Sequence, residues 1–218
     1  MKTGDLFGDF PDNEPYQLQL AEGAFILRGF IREIDILLLR EIETIILKAP
    51  LRHMVTPGGY RMSVAMSNCG PVGWVSDHSG YRYAVCDPDS GRPWPAMPDL
   101  FLDVAKRAAA RAGFESFVPD ACLINLYEPG TRLSLHQDKD EHDVCAPIVS
   151  VSLGLPAIFL FGGARRNIRP QRYPLEHGDV VVWGGPARFN FHGVLPIAEG
   201  YHPLLGSRRI NPTFRKAQ

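Results

Sequence analysis

The segment Leu133-Ser134-Leu135-His136-Gln137-Asp138-Lys139-Asp140, with a lone His192-Gly193 about fifty residues later, holds residue types that can bind a transition metal. His136 and Asp138 are two apart, so in an extended segment they point the same way. Joined by the distant His192, they make a facial set of two imidazoles and one carboxylate. Such a set leaves half of an octahedral ion open, the geometry that non-heme Fe(II) needs to take O2 and a co-substrate. Spacing alone is a weak signal, because a lone His in a strand is more often a core or surface histidine, and His-x-Asp also arises by chance.

Two further stretches bear on the co-substrate. Leu123, Asn125 and Tyr127 alternate on one face of a strand that runs toward His136. Polar groups facing a barrel interior need partners, and a bound dicarboxylate is one, although Asn125 and Tyr127 satisfying one another is the other reading. Arg209-Ile210-Asn211-Pro212-Thr213-Phe214-Arg215 alternates Arg, Asn, Thr and Arg on one face. A guanidinium grips a carboxylate through two parallel hydrogen bonds, so two inward Arg residues suit a ligand with two carboxylates. On an outward face they are plain surface charge. His177, in the turn Glu176-His177-Gly178-Asp179, reads as structural.

These residues need elements to carry them. At 218 residues and 45% hydrophobic, the chain can bury a full core as one domain. Residues 1–23, rich in Asp, Gly and Pro, read as a loose arm, and Ala24 to Leu27 as a short strand. Arg32 to Leu47 reads as a helix with Ile34, Leu38, Ile42 and Ile45 on one side. From about 50 to 95 the chain crowds Gly among Tyr60, Trp74, Tyr81, Tyr83 and Trp94, a hairpin-and-loop region. Pro98-Asp99 starts a second helix, closed by Gly113 in the C′ position. Beyond it only strands are expected, at Ala121 to Tyr127, Ile148 to Leu155, Ile158 to Phe161, Val180 to Trp183, Arg188 to His192 and Arg209 to Phe214. Helices first and short strands after argue a mainly β, double-sheet barrel or jelly roll with helices outside one sheet, its core spanning about 115–218.

Four cysteines lie far apart with no C-x-x-C pair, which suggests neither a zinc knuckle nor a disulfide framework. No signal peptide and no membrane-length apolar run is present, so a soluble cytoplasmic protein, expected to be a monomer, is the reading. The net charge is -1, but residues 1–50 carry 5 basic and 9 acidic side chains while 161–218 carry 9 basic and 3 acidic. A basic face on a neutral protein is compatible with salt-sensitive phosphate contact, and equally with ordinary solvated charge.

Taken together, Asn125-x-Tyr127, His136-x-Asp138-x-Asp140, Ser150-Val151-Ser152-Leu153-Gly154, His177-Gly178-Asp179-Val180, His192-Gly193 and Arg209-x-Asn211-x-x-x-Arg215 resemble the AlkB family. Its members are Fe(II)- and 2-oxoglutarate-dependent dioxygenases that repair alkylated nucleic acid, and the match runs in order from about residue 24. The resemblance implies a double-stranded β-helix with an N-terminal nucleotide-recognition lid, and iron held by His136, Asp138 and His192. It puts Arg215 and Asn125 near the keto-acid end of 2-oxoglutarate, and Arg209, Tyr127 and Asn211 at its far carboxylate. It further implies that hydroxylation of an N-methyl group gives a hemiaminal, which falls apart to formaldehyde and the repaired base. N1-methyladenine and N3-methylcytosine are cationic, so their pocket should offer an aromatic face and a carboxylate. Trp74 and Asp140 supply these, with Thr56, Tyr60, Met62, Met66 and Tyr81 as lid contacts and Arg166 as a further substrate contact; a small hydrophobic core is the competing reading of the aromatics. A base in a duplex must be flipped or presented single-stranded, so alkylated single-stranded DNA is the expected partner, with duplex DNA and RNA open. Two departures stand out: His78 lies where a basic phosphate contact is expected, beside Asp77, and Pro212 removes one ladder donor from its strand. Two other classes stay open, a hydroxylase of the same superfamily acting on a protein or small molecule, and a metal-binding protein without turnover.

Overall fold

The computed structural model describes residues 16–218. In chain order the elements are β1 (Gln17–Ala21), β2 (Ala24–Leu27), α1 (Asp35–Lys48), β3 (Ala65–Cys69), β4 (Gly73–Asp77), β5 (Gly80–Ala84), α2 (Asp99–Arg111) and β6 (Ala121–Tyr127). There follow β7 (Leu133–His136), β8 (Ile148–Val151), β9 (Leu153–Gly154), β10 (Ala157–Phe161), β11 (Gln171–Leu175), β12 (Val180–Trp183), β13 (His192–Val194) and β14 (Arg209–Arg215). A major sheet runs β1-β2-β12-β8-β14-β6-β3, with β9 also on β14, and a minor sheet runs β11-β10-β13-β7. β4 and β5 form a separate hairpin. This is the expected mainly β jelly roll with flanking helices.

Alternation along the strands decides what lies between the sheets. On β6, Cys122, Ile124 and Leu126 pack with the helices, while Leu123 and Tyr127 pack with Phe159, Phe161 and Val194 of the minor sheet. β14 repeats the pattern: Ile210 and Phe214 face the helices, which sends Arg209, Asn211, Thr213 and Arg215 inward. The run Val180-Val181-Val182-Trp183 is buried throughout because both its faces are covered. α1 buries Leu38, Ile42 and Ile45, and α2 buries Phe101, Val104 and three alanines, whose small side chains bring the helix close to the sheet. Gly113, at φ +89, closes α2 as expected: its N–H bonds Ala110 O, and the N–H of Phe114 bonds Ala109 O.

Several sequence expectations need correction. Residues 1–15 of the expected loose arm lie outside the described residues, but 17–21 form the edge strand β1 on β2. The first helix starts at Asp35, after a 3-10 turn over Arg32–Ile34. Arg188 is not in a strand: a 3-10 turn (Gly185–Ala187) precedes it, and β13 begins only at His192. β3, inside the stretch expected as a lid, is the fully buried outer strand of the major sheet. Pro212 sits in a central strand, where a missing donor should be costly. The ladder between β14 and β8–β9 skips Asn211 and Pro212, and the Asn211 side-chain Nδ2 donates instead to Val151 O at 2.6 Å.

Candidate metal and co-substrate site

β7 and β13 are neighbours in the minor sheet, and His136 and His192 are paired across them with ring centroids 4.3 Å apart. Gly193 lets the strands approach, since a Cβ there would lie 2.7 Å from Leu133 O. His136 Nδ1 donates to Ser134 O at 2.8 Å and His192 Nδ1 to Asn190 O at 3.0 Å. A carbonyl accepts only from a protonated nitrogen, so in the neutral imidazole each Nε2 keeps its lone pair free. Both Nε2 atoms face Asp138, 3.6 Å from Oδ1 and 3.8 Å from Oδ2 respectively. The three ligand atoms lie within 4.8 Å of one another, so a small closure brings them to the roughly 3 Å spacing of cis ligands on an ion with bonds of about 2.1 Å.

The electrostatics suit a cation. Burial tends to raise the Asp138 pKa, but Arg215 and the two imidazoles hold it well below the usual carboxylate range. Burial, with His136 next, pushes His192 down to about 3, so this imidazole is neutral. Burial alone would lower His136 too; its Asp138 partner more than offsets this and raises it. Arg215 donates from Nε and Nη2 to Asp138 Oδ2 at 3.1 and 2.8 Å.

The strand β14 register sets Arg209 opposite Tyr127 and Asn211 opposite Asn125. Tyr127 Oη, Arg209 Nε, Asn125 Oδ1 and Trp183 Nε1 are buried without a hydrogen-bond partner. Unpaired buried polar atoms are costly, and three of these four are donors or can donate, which fits an anionic ligand. Burial lowers Arg209 to about 10 and lifts Tyr127 to about 12, leaving a cation beside a neutral phenol. The residues therefore fit a dicarboxylate such as 2-oxoglutarate beside the metal. The two asparagines fit the expected roles less well. Asn125 Nδ2 bonds Asn211 O, so the amide presents an acceptor, not a donor, to the cavity. Asn211 Nδ2 is spent on Ser150 Oγ and Val151 O, and its Oδ1 accepts from Thr213.

A cavity of about 900 Å3 joins this centre to the surface, lined by His136, Asp138, His192, Asn125, Tyr127, Asn211 and Arg215 inside and by Thr56, Tyr60, Met62, Met66, Trp74, Tyr81, Asp140 and Arg166 toward the mouth. Arg209 lies behind that lining, its Nη2 on Ser152 Oγ. Trp74 of β4 stacks on Tyr81 of β5 with centroids 5.7 Å apart and planes 13° from parallel. Trp74 Nε1 donates to Asp140 Oδ2 at 2.9 Å. Arg166 sits over the Phe191 ring at 5.8 Å. Asp77, beside His78, is held by both Nη atoms of Arg82, which takes up its charge. His177 is structural, accepting from Gly154 N and bonding Asp35. The sequence reading missed Trp183, Arg188 and Glu141; only a charged residue inside an apolar stretch hinted at Arg188, and nothing local marked Glu141.

Comparison with known proteins agrees with this geometry. The family profile described as the 2OG-Fe(II) oxygenase superfamily matches residues 23–215. The chain is 57% identical over 208 residues to the alpha-ketoglutarate-dependent dioxygenase AlkB of Escherichia coli (strain K12), covering 95% of this chain and 96% of that protein. It is 34% identical over 132 residues to the tRNA demethylase abh1 of Schizosaccharomyces pombe, covering 60% of this chain and 43% of that one. The solved structure of OsALKBH1 superposes with a TM-score of 0.82 at 27% identity, over 92% of this chain and 100% of that one.

Proposed function

This chain belongs to the AlkB family of 2OG-Fe(II) oxygenases, and we propose that it removes N-alkyl groups from nucleobases such as 1-methyladenine and 3-methylcytosine in DNA. It is a dioxygenase that uses Fe(II), 2-oxoglutarate and O2. His136, Asp138 and His192 would hold the iron, Tyr127 and Arg209 would grip the far carboxylate of 2-oxoglutarate, and Arg215 would serve the near one. Bound there, iron, 2-oxoglutarate and O2 would supply the oxidising power to place a hydroxyl on an N-methyl carbon. The N-hydroxymethyl product collapses to formaldehyde and the bare base.

The observation that carries the nucleobase reading is the Trp74 indole N–H fastened to the Asp140 carboxylate at the cavity mouth. A flat aromatic face with an anion fixed at its edge matches a flat, cationic base. A base stacked in a duplex cannot enter the cavity, which favours single-stranded DNA over duplex DNA, with RNA and flipped duplex bases as further substrates. The loop around Thr56, Tyr60 and Met62 and the β4–β5 hairpin form the substrate lid of a single, monomeric oxygenase domain. Among the described residues no helix is long and apolar enough to cross a membrane. Purified protein given Fe(II), ascorbate and 2-oxoglutarate should release formaldehyde from a 1-methyladenine oligonucleotide. No release from protein with full metal loading would refute the proposal.

A further inference from the structure

Two buried charges adjoin the metal loop without belonging to the ligand set: the side chains of Arg188 and Glu141 are each 2% exposed and meet at 2.9 Å. Arg188 also donates Nη1 to the main-chain carbonyl of Asp138 at 2.6 Å and Nε to Ala146 O at 3.1 Å. It precedes His192 by one short turn of chain. One guanidinium therefore joins the approach to His192 with both ends of the loop that begins at Asp138. A buried charge is tolerated only when paired and fully hydrogen-bonded, so the loop cannot drift without uncovering Arg188.

Glu141 extends the contact in two directions. Its Oε1 lies 3.4 Å from Nε of Arg215, the residue that holds Asp138, and accepts the Tyr83 hydroxyl at 2.6 Å. Burial first, with Glu141 adding to it, pushes the Tyr83 phenol far up, so it stays a donor. Tyr83 is the cross-strand partner of Trp74. The hairpin thus holds the loop at two successive residues, Trp74 on Asp140 and Tyr83 on Glu141.

We propose that Arg188 and Glu141 are positioning residues that set Asp138 against His192 for the metal, and that Tyr83 transmits the position of the lid hairpin to that setting. Metal binding and occupation of the lid are then linked, each tightening the other by the same factor. The lid half rests on the nucleobase reading above; the metal half does not.

The test is the affinity for Mn(II), measured calorimetrically with 2-oxoglutarate present, with and without a 1-methyladenine oligonucleotide. Arg188→Lys, which keeps the charge but loses the fork, should weaken Mn(II) binding about tenfold or more at temperatures where its near-UV circular dichroism matches wild type. Arg188→Gln should weaken it further. In wild-type protein the oligonucleotide should raise Mn(II) affinity about fivefold or more. Tyr83→Phe should abolish that gain and leave Mn(II) affinity without oligonucleotide within about threefold of wild type. Folded Arg188 variants that bind Mn(II) as wild type does would overturn the positioning role. If neither Arg188 variant folds, Tyr83→Phe decides: an undiminished gain overturns the linkage. An oligonucleotide that fails to bind wild-type protein overturns the nucleobase reading and the Tyr83 half with it, while Arg188→Lys still decides the metal half.

Discussion

His136 and His192 face one another, yet their surroundings move them in opposite directions, and this has a measurable consequence for the metal-free protein. His192, lowered to about 3 by burial, is neutral when folded and has an ordinary value of about 6.5 when unfolded. Below about pH 6.5 the unfolded chain therefore binds a proton that the folded one refuses. Stability from this group is full above the unfolded value and is lost as pH falls toward the folded one. His136, raised, is protonated in both states below about pH 6, and Asp138, lowered, begins to matter only near its unfolded value of about 3.8. Between about pH 4.5 and 6, unfolding free energy should fall by up to about 1.4 kcal/mol per unit of acidification on account of His192. Denaturant titrations of His192→Gln should show a shallower slope; an equal slope would mean that the imidazole is not buried as a neutral group. The ligand set itself was legible because two of its members are two residues apart and the third precedes a glycine. Arg188 and Glu141 were not, because a charge pair formed between two loops has no local period to reveal it.

β14 shows what an element can hide. Its alternation of Arg, Asn, Thr and Arg against Ile and Phe was readable, and so was that of β6, because each strand has one face on helices and the other on the cavity. What the pattern could not tell is that one inward residue, Asn211, spends its side-chain N–H groups on the neighbouring strand. Asn211 replaces the hydrogen bond that Pro212 cannot make. Asn211→Ala should cost about 1–3 kcal/mol in denaturant unfolding without co-substrate, the usual penalty for a buried carbonyl left unpaired. Pro212→Val, which restores a backbone N–H, should reduce that cost when combined with it; strict additivity of the two changes would show that the amide and the missing donor are unrelated. β7 and β11 were not among the expected strands: β7 offers only four residues, and Pro174 interrupts the pattern of β11, while β9 fell inside the single strand expected over Ile148 to Leu155.

At the scale of the whole molecule, a net charge of -1 conceals an uneven surface. Arg61, Arg132, Lys139 and Arg166 line the cavity, and Arg165, Arg169 and Arg172 continue the basic stretch on and beside the β10–β11 connection. Oligonucleotide affinity should fall linearly with salt on a double-logarithmic plot, and Arg169→Ala should reduce the slope by about 1 with little dependence on lesion type. A slope unchanged by the substitution would remove that residue from the phosphate track. The jelly-roll class could be inferred from helices followed by many short strands, but not the closing partner of the first hairpin. That partner is β12: Leu27 pairs with Val180 and Ala24 with Trp183. The consequence lies in synthesis. At roughly 5–20 residues per second, a ribosome delivers β12 on the order of ten to thirty seconds after β2. Through that interval the outer edge of β2 is apolar and unpaired, an edge prone to associate with another strand until β12 closes it.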